Sequence, residues 1–361
     1  MIKKTCFVVT FMVLIQLNSI YEVYASQPKE LKKKVMIPVS EVMEYLGFDT
    51  SQEEFLRTGE ILSKSMPGRE KTPKELAIAS VMIIIHRPLD VVAETFLSGE
   101  SFRVHNSVIK FHEISDQDQA TGPTDDFNGI RFSNQEKSEE EKLFKSRPGN
   151  TFNLSEDEID FFKNVEKDEL DSSDSIAKIL REILHNRYKR YLNEGLPGID
   201  PYAREKERLI FPGKELKSAI DSMDIAKKYL PEFHRNVLEF PVTNYDKISS
   251  KFYWLKLSMQ NRPNFVLTHQ LADISDEYAI VVEKIYYSLH TVDSSLIVIG
   301  CLPYDGGTVV FYMNHLFSDQ VLGFAQKIKR AEGKKAIAKS VSEYFASFVI
   351  CWGVKKRINK K

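Results

Sequence analysis

The chain has 361 residues, 42% of them hydrophobic and 28% charged, and its 50 basic and 51 acidic side chains leave a net charge of −1. That balance provides no global basic field to draw the protein to nucleic acid. Three cysteines without a CxxC pair or a Cys/His ligand spacing argue against a structural zinc site.

The first residues run MIKK, then the apolar TCFVVTFMVLIQL, then NSIYEVYAS, the order of an export signal. The apolar run is shorter than the roughly 20 residues that span a bilayer, and Val23 and Ala25 stand where a signal peptidase reads small residues. Residues 1–25 are therefore expected to be removed and the mature protein to be periplasmic or extracellular, with an uncleaved membrane anchor as the alternative. Cys6 precedes the apolar run, which is the wrong side for a lipid-modified cysteine. Residues 26–36 read as a charged leader, and 37–361 as a single elaborated α+β domain. Cys301 and Cys351 remain after cleavage, either as two buried small hydrophobes or as a disulfide.

From Ile37 to Leu62 the pattern predicts two short helices, with Ser51 and Glu54 at capping-box spacing. KELAIASVMIIIHRP predicts a strand ending at Pro88, and LDVVAETFLS a helix with Leu89, Val92, Phe96 and Leu97 on one face. SVIKFHEIS and FNGIRFS predict further short strands. Acids outnumber bases between Glu113 and Asp174. Such runs are usually solvated faces; a calcium site is the sharper alternative, although no EF-hand loop is present. SRPGNTFNLSEDEID places a turn at Pro148-Gly149 and then a strand or a helix capped by Ser155. SDSIAKILREILHNRYKRYLNEG predicts a helix from Ser173 to Asn193 that stops at Gly195. PGKELKSAIDSMDIAKKYLPEFHRNVLEFP adds a second helical segment broken before Pro231 and ended before Pro241.

The C-terminal part predicts five strands in succession: FYWLKL, FVLTHQLAD, YAIVVEKIYYSLHT, SLIVIGCLP and TVVFYMNHLF. PYDGG joins the last two by hairpin chemistry. A long amphipathic helix from about Gln320 to Phe348 follows, its buried stripe marked by Phe324, Ile328, Ile337, Val341, Tyr344, Phe345 and Phe348, with Gly333 as a weak point. The predicted class is α+β, an antiparallel sheet with a long closing C-terminal helix and an inserted helical pair at 172–241.

In the order of its elements this pattern resembles the START and Bet v 1-like helix-grip superfamily, which implies a cavity between sheet and closing helix for a hydrophobic ligand. A second resemblance rests on motif: Tyr253-Trp254, Thr268-His269, the run Lys284, Tyr287, His290, Asp293, Ser294 and Leu296, then Tyr312, Asn314 and Asp319. It is similar to an uncharacterised family of exported bacterial proteins. This chain departs from that family after Asn314, where His315-Leu316-Phe317 replaces an arginine-containing run. The resemblance implies positions and no activity.

The candidate pocket residues are accordingly Trp254, His269, Lys284, Tyr287, His290, Asp293, Asn314 and Asp319. On an ideal strand Lys284, Tyr286, Ser288 and His290 share one face and Tyr287 lies on the other, unless a bulge shifts the register. An enzymatic reading uses His269 and His290 as acid or base, Asp293 to orient a histidine and Lys284 to bind an anion. The bland reading is a solvent-facing strand side with Asp293 and Ser294 in a turn. An acyl-transfer triad lacks a nucleophile-elbow context, a cupin-like metal site would need His269, His290 and Asp293 together, and Trp254 with Tyr253 fits either a cavity wall or core. No cofactor is called for. FASFVICWGV followed by KKRINKK, with the tail at 350–361, could rest on anionic headgroups or simply be a solvated helix end. The expected partner is a hydrophobic or amphipathic small molecule, with lipid as one class; a periplasmic enzyme and an envelope interaction protein are the alternatives.

Overall fold

A computed structural model describes residues 35–66, 70–84, 87–115, 125–163, 173–242 and 247–351. The expected signal, most of the leader, the tail from 352 onward and parts of the acidic region lie outside the described residues. The described residues from Ile37 onward form one compact unit. Its strands are β1 Leu62–Ser65, β2 Glu75–Ile84, β3 Val108–Ile114, β4 Tyr202–Ala203, β5 Leu209–Ile210, β6 Ser249–Met259, β7 Arg262–Ile274, β8 Ala279–Ser288, β9 Ser294–Tyr304 and β10 Gly307–Phe317. The helices are α1 Val39–Tyr45, α2 Glu53–Arg57, α3 Leu89–Leu97, α4 Glu100–Arg103, α5 Lys137–Phe144, α6 Glu156–Lys163, α7 Ser173–Glu194, α8 Pro212–Ile220, α9 Asp224–Tyr229, α10 Pro231–Glu239 and α11 Gln326–Cys351.

Eight strands form one antiparallel sheet in the order β1-β2-β10-β9-β8-β7-β6-β3, while β4 and β5 pair separately. The strand early in the chain, β2, thus closes against the last, β10, with Thr308 opposite Ile84 and Phe317 opposite Glu75. Strand, two helices, strand, five hairpin-linked strands and a closing helix are compatible with helix-grip topology. The class is α+β as the hydrophobic periods predict. Five of the eight strands are the C-terminal run, joined by short turns that favour neighbouring antiparallel pairing. At the β9–β10 hairpin Asp305 and Gly306 take φ of 48° and 74°, the geometry a two-residue turn requires.

The sheet is covered on both faces, so its strands read as nearly continuous apolar runs rather than clean alternation. On one face Leu89, Val92 and Phe96 of α3 and Val341, Phe345 and Phe348 of α11 pack on Val281, Ile299 and Val310. The other face is covered by the chain inserted between β3 and β6, which carries α5 to α10 and the β4–β5 pair. This insertion begins well before residue 172, and its helical pair, α7 and the α8–α10 run, is accompanied by α5 and α6. Proline at the first helical turn of α8 and α10 divides the second segment, as proline is favoured at helix starts and not within them.

Local expectations differ from the structure in three places. FNGIRFS forms no strand: Asp125–Phe127 is a 3-10 turn, and buried Phe127, Ile130 and Phe132 pack from an irregular segment. The N-terminal capping box falls at Asp49 and Gln52, where Asp49 accepts from the Ser51 amide at 2.8 Å and Gln52 Oε1 from the Asp49 amide at 3.0 Å; it does not involve Ser51 and Glu54. The closing helix begins at Gln326, and Phe324 and Ile328 are 95% and 66% exposed instead of buried. Ser155 does cap α6, accepting from the Glu158 amide at 3.2 Å.

Candidate functional site

The register of β8 decides where the motif residues go. His269 stands opposite Lys284 and Thr268 opposite Ile285, but Leu267 stands opposite Tyr287, so Tyr286 is an extra residue, a bulge. The bulge brings Tyr287 to the same face as Lys284 and Tyr286, toward the insertion.

That face holds three closed clusters. Lys284 Nζ donates to the Val237 carbonyl at 3.0 Å and lies 5.5 Å and 5.4 Å from the ring centres of Tyr191 and Phe240. Burial with no carboxylate partner pushes its amine down to about 7. His269 stacks on Phe252 at 4.3 Å, with Tyr191 Oη 2.9 Å from Nδ1 and Ser250 Oγ 2.9 Å from Nε2; burial, then Lys284, hold its pKa well below the usual range. Tyr287 lies under Arg187, whose guanidinium centre is 4.5 Å from the ring and which makes two 2.6 Å bonds to Glu158.

Asp293 and Asp319 meet in the third cluster. Arg204 donates to Asp319 at 2.7 Å and Asn153 at 2.7 Å, and reaches Asp293 at 3.4 Å. Lys74 lies 3.6 Å from the other Asp293 oxygen and also pairs with Glu215, which accepts from Ser294 at 2.7 Å. Burial and then the Asp319 charge raise the Asp293 carboxyl to about 6, against the opposing pull of Lys74 and Arg204. Here Asp293 and Ser294 are buried joints between sheet and insertion, and not turn residues on the surface. His290 is apart from all three, its Nε2 2.9 Å from the Pro263 carbonyl and its Nδ1 2.7 Å from Thr291 Oγ1, and burial pushes it down to about 4. Trp254 is buried with its indole N–H donating to the Asp126 carbonyl at 2.7 Å. Lys284 and His269 face each other across β7 and β8 and share Tyr191 and Phe240, whereas His290 and Asp293 each lie among other partners, so the four do not converge on one reacting centre. Among the described residues no group of three or more His, Cys, Asp or Glu is placed to hold a metal ion.

The opposite face contains open space. A cavity of about 740 Å³ lies between α11 and the strands β6 to β10. Most of its surface is apolar, from Leu257, Val266, Ile285, Ile297, Leu316 and Ile337 among others, while hydroxyl and amide side chains such as Ser288, Thr291 and Gln320 also line it. A polar line crosses its floor: Ser295 Oγ donates to Asn314 Oδ1 at 2.8 Å, and Asn314 Nδ2 donates to the Tyr312 hydroxyl at 3.2 Å. The Tyr312 proton remains available to an acceptor. Exposed Lys329 and Glu332 among the lining residues mark where the space reaches solvent. At Gly333 the helix comes close to β2, since a Cβ there would lie 2.9 Å from Leu76 Cδ1; this contact sets the roof height at one end.

Of the eight candidate pocket residues, Asn314 lines this cavity and the other seven do not, while Tyr312, which the motif also contains, lines it beside Asn314. Ser295 and the aliphatic wall carried no sequence signal beyond strand alternation. Arg204, Lys74 and Arg187 lie far from their partners in sequence, and no local pattern joins them.

The fold and the cavity together define an α+β protein with an apolar chamber under its closing helix. The chain matches no family model and no curated protein.

Proposed function

We propose that the protein binds a hydrophobic or amphipathic small molecule, of the lipid class, in the cavity between the sheet and α11. The observation that carries this reading is the cavity itself. The space opens to solvent beside Lys329 and Glu332, so a ligand has a way in, and a mostly apolar surface holds water poorly and favours an apolar occupant. The volume falls within the range of small-molecule sites, about 300–1,000 Å³. An apolar body with a hydrogen-bond acceptor at one end suits the wall and the Tyr312–Asn314–Ser295 line. The resemblance in topology to helix-grip proteins points to the same place. Export on the signal pattern of residues 1–25 and surface contact through residues 350–361 complete the proposal.

Solvent extraction of the purified mature protein followed by mass spectrometry should recover a co-purifying amphiphile. Ile337→Trp, which puts an indole into the chamber from α11, should weaken binding of a fluorescent fatty-acid probe at least about tenfold while the circular dichroism spectrum stays unchanged. Protein free of amphiphile that also fails to bind the probe would sink the reading.

A further inference from the structure

The turn leading into α11 exposes apolar surface beside the cavity mouth. Phe324 is 95% and Ile328 66% exposed, while Val321 and Lys329 next to them line the cavity. Ala325 holds a φ of 59°, a left-handed conformation that a non-glycine residue adopts at a cost. The Ile328 and Lys329 amides both donate to the Ala325 carbonyl at 3.0 Å, so the projecting turn is a built feature of the helix start.

The charge around it is one-sided. Residues 320–336 contain five basic side chains and one acid. Arg330 and Lys334 lie against Glu70, and Lys335 against Glu332, so the exposed Lys327 and Lys329 supply the charge that no carboxylate among the described residues pairs, Lys329 donating to the Leu322 carbonyl at 3.1 Å. They occupy the first turn of α11, which contains no acid. A helix start already carries the positive end of the backbone dipole and favours acids. Two lysines there work against helix stability and concentrate positive potential next to Phe324 and Ile328.

We propose that this turn docks the protein on an anionic lipid bilayer, Phe324 and Ile328 entering the acyl boundary while Lys327 and Lys329 meet the headgroups. Apolar residues flanked by lysine are what an interface between water and acyl chains accommodates. A second copy of the chain is a poorer partner, because a two-fold contact through this patch sets the same lysines against each other. Docking here brings the cavity mouth to the membrane, but it stands on the exposed turn and its charge, whether or not the cavity is filled.

The test is co-sedimentation of the full mature protein with vesicles of equal parts phosphatidylglycerol and phosphatidylcholine, against phosphatidylcholine alone. The protein should sediment with the anionic vesicles and be released by salt at about 0.5 M. Phe324→Ser should weaken partitioning about tenfold, and Lys327→Glu with Lys329→Glu at least as much. Both changes fall on exposed side chains, so the circular dichroism spectrum should not move. Ile337→Trp should sediment like the parent, which separates this proposal from the cavity reading. Variants that sediment as well as the parent would overturn the proposal and pass the contact to the C-terminal tail. A parent that stays in solution, or a Phe324→Ser variant that loses self-association in ultracentrifugation with vesicle binding intact, would overturn it too.

Discussion

Lys284 is an amine buried between aromatic rings with a single carbonyl partner, and its placement has a cost that depends on pH. Its folded pKa of about 7 lies below the ordinary 10.5, so between those values the unfolded chain binds a proton that the fold rejects. The stability it allows is complete above the unfolded pKa and is lost as pH falls through the folded one. The buried tyrosines Tyr191, Tyr286 and Tyr287 are shifted upward and withdraw stability above about pH 10, which leaves roughly pH 7 to 10 as the readable window. Lys284→Met should raise unfolding free energy by a few kcal/mol at pH 7, with the difference from the parent shrinking toward pH 10 in urea titrations. A difference that is constant across that range would mean that the amine is solvated in the fold. The sequence run KIYYSLHTVDSS shows these residues as chemically rich but not that they are sealed, because sealing comes from α7 and α10, about 50 to 100 residues earlier.

At the scale of elements, α11 is held at two places and bridges space between them. Gly333 sits against Leu76, and Phe345 and Phe348 pack on Tyr312 and Phe96 at ring distances of 5.6 Å and 5.3 Å. Phe345→Ala should cost about 3–5 kcal/mol in chemical denaturation, the range for removing a buried ring. It should also speed amide exchange along α11 more than in β7 to β9. Exchange that rises equally in helix and sheet would show that α11 does not open by itself. Phe324 and Ile328 do not belong to the buried stripe: at 3.6 residues per turn Ile328 lies about 180° around α11 from Ile337, so the helical period itself turns it outward, and Phe324 precedes the helix, across the left-handed Ala325.

For the molecule as a whole, the inserted chain is part of the core rather than an appendage. It covers one face of the sheet and is tied to it by the Arg204–Asp319 pair at 2.7 Å, the Tyr191–His269 contact at 2.9 Å and the Lys74–Glu215 pair. Breaking a buried pair by removing one partner costs about 3–5 kcal/mol, and exposing β8 on that face would uncover Lys284, Tyr286 and Tyr287 together. Unfolding should therefore be one transition, with tryptophan fluorescence and far-ultraviolet circular dichroism coinciding in urea. Read in a Trp352→Phe background, Trp254 reports the β3–β6 edge and the insertion supplies much of the helix signal, so an earlier loss of helix would show an independently folding insertion.

The sequence by itself determined the class, the five C-terminal strands and the long helices, because strand and helix periods and the Asp-Gly hairpin are local properties of neighbouring residues; β1, the β4–β5 pair and α5 were not among its expectations. It also marked Tyr312 and Asn314, motif residues that line the chamber. Only the tertiary structure decided the rest. A bulge at Tyr286 set which face Tyr287 takes, and the insertion buried His269, Lys284 and Asp293 among partners distant in the chain. The packing of α11 left space over Asn314 and Ser295. Those outcomes depend on contacts between residues far apart in sequence, and a void is defined by the side chains that fail to reach one another.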